Sequence, residues 1–94
     1  MGFFKSMFGS VTRDLKIRQL KAAFARDFPG EKMNGTLEGY CGVGMMVAQS
    51  INDGTQDRIR FLNVFEEGLR QEDERHRHFA KEAYDLGVET YLEK

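Results

Sequence analysis

The chain has 94 residues, 40% of them hydrophobic and 31% charged, with a net charge of −1. That length supports one modest core, and the apolar share excludes a disordered chain. The only cysteine, Cys41, excludes an intramolecular disulfide framework and fits a reducing compartment.

The balanced total hides an asymmetry. Residues 1–29 carry six basic side chains against two acidic ones, a charge of +4, whereas the remainder carries eight against 13, a charge of −5. Such a split provides a basic surface for phosphates or lipid headgroups, or lets the two ends attract each other within one chain or between two. The second reading is the plainer one and is preferred. The start, MGFFKSMFGSVTRD, has no long apolar run of the signal-peptide kind, because Lys5 interrupts it and Arg13 ends it. With no transmembrane stretch, the expectation is a cytoplasmic protein.

Residues 2–9 place Phe3, Phe4, Met7 and Phe8 on one side of a short helix. Three phenylalanines so close together need cover. Folding back onto the core is the ordinary answer; a membrane surface or a protein partner is the sharper one. Met1-Gly2-x-x-x-Ser6 also satisfies the permissive N-myristoylation pattern. Gly9-Ser10 predicts a break, after which Thr12 caps a basic helix over 12–28 that Pro29-Gly30 ends. This helix has two apolar lines. Ile17, Leu20, Phe24 and Phe28 form one; Val11, Leu15 and Ala22 form the other, continuing the line of Phe4 and Phe8. The clustered basic residues also raise nucleic-acid binding, but no recognised motif accompanies them and the reading is disfavoured.

Residues 29–35 read as a loop, and 36–52 as a helix almost free of charge. Leu37, Tyr40, Cys41, Gly44, Val47, Ala48 and Ile51 recur with helical spacing, and the opposite side holds Gly39, Gly42, Val43 and Met46. A helix apolar on two sides is expected to be buried on both. Each interior glycine costs about 1 kcal/mol, which close approach by another backbone would offset. The order Gly39-x-x-Gly42-x-Gly44 does not match the nucleotide fingerprint and follows no strand.

Asn52-Asp53-Gly54 predicts a stop, and Thr55 with Asp57 a new start. From 55 to 92 the stripes Ile59, Leu62, Phe65, Leu69 and His76, Phe79, Ala80, Ala83, Tyr84, Gly87, Tyr91 keep one phase across Gly68. This predicts one long helix of about 54 Å, longer than a globule with a radius of gyration of ~12 Å can cover. A break near Gly68 would instead give a closed four-helix bundle.

Within 70–78, Asp73 and His76 stand three apart and Glu74 and His78 four apart, spacings that allow a divalent metal. Neither pair is repeated elsewhere, and Arg75 and Arg77 sit among them, so a solvated face with ion pairs is preferred and no metal or cofactor is assigned. Cys41 lies among apolar residues and reads as an inert core thiol. No arrangement supports catalysis.

The expected protein is all-α, a small helical bundle with a long C-terminal helix, paired as a homodimer. Gly39, Gly42, Met46, Leu69, His76 and Phe79 are its expected interface. The expected function is non-catalytic: an adaptor, regulator or assembly role through association with a second copy or another protein. The rival is a peripheral membrane protein held by Phe3, Phe4, Met7 and Phe8 with the basic helix behind them.

Overall fold

A computed structural model describes residues 2–92, with side chains from residue 13 onward. Four α-helices account for nearly all of it: α1 (Gly2–Asp27), α2 (Leu37–Asp53), α3 (Asp57–Gln71) and α4 (Arg77–Leu92). A single 3-10 turn, Glu74–His76, joins the last two. Among the described residues there is no strand, as the all-α expectation required.

α1 runs unbroken through Gly9-Ser10, contrary to the expected separation of 2–9 from 12–28. A lone glycine costs a helix about 1 kcal/mol, too little by itself to stop one that no proline interrupts. The side chains of Phe3, Phe4, Met7 and Phe8 lie outside the described ones. The end comes where the sequence placed it. Phe28 N–H still donates to Phe24 O at 2.8 Å, and Gly30 then takes a left-handed φ of 77°. The inner line of α1 meets the core: Ile17 is buried, and Leu20, Phe24 and Phe28 pack against it. Leu15, on the outer line, is 54% exposed.

α2 starts on Thr36, whose hydroxyl accepts the Gly39 N–H at 3.0 Å. It stops at Gly54, in the left-handed region at φ 72°, whose N–H donates to Ile51 O. Thr55 does not cap α3. Its hydroxyl lies 2.6 Å from Ser50 Oγ, and Gln56 occupies the cap position with no side-chain bond.

α2 and α4 form the centre and run in the same sense: Tyr40 at the start of α2 meets Glu72 just ahead of α4, and Asn52 near its end reaches Tyr91. Their backbones touch. A Cβ on Gly44 would sit 2.1 Å from Tyr84 O, and one on Gly87 would sit 1.9 Å from Cys41 O. These two glycines are the close approach that the sequence asked for, and the same chain supplies it. Ala80 and Ala83 fill the rest of the crossing with no exposure at all. Leu37, Tyr40, Cys41, Val47, Ala48, Phe79 and Leu86 complete the buried hydrophobic side chains on α2 and α4. α3 packs on α2, and α1 chiefly on α4.

Three expectations need correction. The segment 55–92 is not one helix: it breaks at Glu72-Asp73, whose ψ values of 148° and 137° are extended. α2 is buried on one side only, with Met46 46% exposed and Gly42 open to solvent. Ile51 is 61% exposed, and Ser50 takes the inward position instead, where its hydroxyl is held by Thr55. The described chain is flat, 41 × 30 × 13 Å.

Candidate functional site

The break between α3 and α4 gathers most of the buried charge. Glu72 is the first residue past the end of α3, and its carboxylate turns inward to a position only 3% exposed. There it accepts the N–H groups of Asn34 and Gly35, each at 2.7 Å, and the hydroxyl of Tyr40. A buried carboxylate persists only when hydrogen bonds replace its water, and these three do so. Burial, and then the Glu72 carboxylate, push the pKa of the Tyr40 phenol well above its ordinary value. Glu72 thus ties the 28–36 loop and α2 to the corner.

Asp73 turns the other way. Its carboxylate accepts the Arg75 N–H at 2.9 Å, capping the 3-10 turn, and holds the Arg75 guanidinium as well. Arg75's side-chain and backbone hydrogen bonds lower the Asp73 carboxyl to about 2. Arg75 Nη2 also donates to Glu31 Oε1 at 2.7 Å, and its guanidinium lies over the Phe28 ring. His76 is 4% exposed. Its Nε2 lies 3.0 Å from Glu31 Oε1, and the edges of Phe24 and Phe28 enclose the imidazole at centroid distances of 4.8 Å. Arg77 completes the corner by donating to Leu69 O at 2.9 Å, a second bond to a carbonyl that also accepts the Glu72 N–H at 3.1 Å.

Asp73 and His76 are therefore brought together, but by a helix break and not by a continuous face. Glu31, from the loop after α1, joins them, and no spacing in the sequence pointed to it. Glu72 was equally hidden, since a glutamate inside a run of charges carries no mark of burial. Glu74 and His78 do not pair; His78 is exposed and lies 3.2 Å from Glu82.

The expected interface divides in two. His76 and Phe79 are buried by their own chain and Leu69 packs against the core, so none of these presents an open surface. Gly39, Gly42 and Met46 remain along the outer side of α2. Gly39 is explained locally, because a Cβ there would press on the capping Thr36 hydroxyl at 2.9 Å. Met46 shares a shallow groove with Gln49 of α2 and Phe61 of α3. Cys41 is 3% exposed, and burial raises the pKa of its thiol, which disfavours the reactive thiolate.

No protein-family model matches the chain, and no curated protein or solved structure matches it significantly.

Proposed function

We propose that this chain works by association and not by catalysis, with a homodimer as its basic form. The length of the C-terminal segment no longer argues for a partner, because that segment is broken. The surface does. A folded monomer of 10.8 kDa is expected to expose about 5,500 Å², and this one exposes 6462 Å². The difference of about 900 Å² is close to what each partner contributes to a standard interface, ~800 Å². A radius of gyration of 13.9 Å, against about 12.4 Å for a compact chain of this length, points the same way.

The open side of α2 offers the place. Gly42 lets another backbone come near, and Met46 with Phe61 supplies adaptable apolar surface. Both chains of a two-fold pair would present this same patch. Replacing Met46 by Glu is expected to leave the fold within about 0.5 kcal/mol of the parent, since the side chain is half exposed. The same change is expected to lower the solution mass from dimer to monomer.

A second reading has its own observation. α1 is one 26-residue helix with an exposed Leu15 on the line that the sequence extends to Phe4 and Phe8, and basic residues flank that line. Among the described residues no helix is long and apolar enough to cross a membrane. A helix lying in the headgroup layer has no such requirement. Co-sedimentation with anionic vesicles tests this: binding lost in a Phe4→Asp/Phe8→Asp variant and in high salt supports it, and no binding by the parent removes it.

A further inference from the structure

The ligand-capable atoms of Glu31, Asp73 and His76 all lie within 4.8 Å of one another. They come from two pieces of chain far apart in sequence: the α1–α2 loop, which brings Glu31, and the 3-10 turn, which brings His76 and its capping residue Asp73. The histidine is nine-tenths buried and points into the cluster, and its hydrogen-bonded neighbour there is Glu31. Aromatic edges enclose it elsewhere. The two carboxylates are partly exposed, at 35% and 45% for their side chains, which leaves a way in and room for water.

We propose that Glu31, Asp73 and His76 form a site for a divalent transition-metal ion of the zinc class, with water completing the coordination. One imidazole nitrogen with two carboxylates suits zinc, whereas calcium and magnesium take oxygen ligands alone. The 3.0 Å between His76 Nε2 and Glu31 Oε1 is close to the separation of two adjacent ligands on bonds of about 2.0–2.1 Å. The ion binds the Nε2 lone pair, so that in the loaded form the neutral imidazole carries its proton on Nδ1. It also replaces the Arg75 guanidinium, the cation that now bridges Glu31 and Asp73 at 2.7 and 3.1 Å. Arg75 is thus a competitor, and apo and loaded forms differ in which cation holds the 28–36 loop to the corner.

Titration of the full chain with Co2+, followed by visible absorption, and with Zn2+, followed by calorimetry, tests this. The expected result is saturable binding of one ion per chain, weakened at least tenfold in Glu31→Gln and in Asp73→Asn. Arg75→Gln is expected to bind more tightly than the parent, because the competing cation is gone. His78→Gln is expected to bind as the parent does, which separates this site from the exposed His78–Glu82 pair. Far-UV circular dichroism of the metal-free variants checks that they are folded. No saturable signal from the parent overturns the proposal, as does binding that Glu31→Gln and Asp73→Asn leave unchanged. Arg75→Gln binding no tighter than the parent overturns the claim that the guanidinium holds the ion's place.

Discussion

Glu72 shows how one side chain sets the course of the chain. Had it stayed on the outside of α3, the helix could have continued along the phase that the apolar residues keep. Turning inward, it accepts two backbone N–H groups of the 28–36 loop and the buried Tyr40 phenol, and so ties three elements together. Replacing Tyr40 by Phe removes one hydrogen bond to a buried charge and is expected to cost about 2 kcal/mol in chemical denaturation at neutral pH. Glu72→Ala, which removes all three hydrogen bonds at once, is expected to cost more, about 3 kcal/mol. The Tyr40 phenol also fixes a pH dependence. Its pKa is raised in the folded state by burial and by Glu72, so the folded chain holds that proton more tightly than the unfolded one. Its contribution is therefore complete below the unfolded phenol's value of about 10 and is lost as pH rises beyond it. The difference in stability between parent and Tyr40→Phe should shrink above pH ~10 and stay constant between pH 7 and 9.

At the scale of the helix, the glycines of α2 and α4 sort by what faces them. Gly44→Ala and Gly87→Ala drive a methyl into a neighbouring carbonyl, and each is expected to destabilise by about 3 kcal/mol or more. Gly42→Ala meets nothing within 4 Å, so it is expected to stabilise the monomer by roughly 0.5–1 kcal/mol through helix propensity alone. Thermal melts of the three variants distinguish packed glycines from an open one. Periodicity made the buried line of α2 legible, including Gly44, and turn residues made both of its ends legible. The corner at 72–73 was not, because the apolar phase continues across it and neither Gly nor Pro marks it. Its cause is a long-range hydrogen bond to residues 34, 35 and 40, and local pattern does not carry such information. Glu31 was invisible for the same reason: its neighbours in space are more than 40 positions away.

At the scale of the whole molecule, shape carries the functional reading. Four helices spread into a body only 13 Å thick along its shortest axis leave broad surface uncovered, and α3 buries none of its residues completely. Ile59 and Val64 on α3 stand more than half exposed, as does Ile51 at the end of α2. A second copy across the open side of α2 would return the exposed area to what a folded chain of this mass normally shows. Sedimentation equilibrium across the micromolar range measures this directly. The account predicts a mass near 21.6 kDa, twice the 10.8 kDa of one chain, falling to the single-chain value in Met46→Glu. A particle of 10.8 kDa at every concentration, or a dimer that Met46→Glu leaves intact, would contradict it.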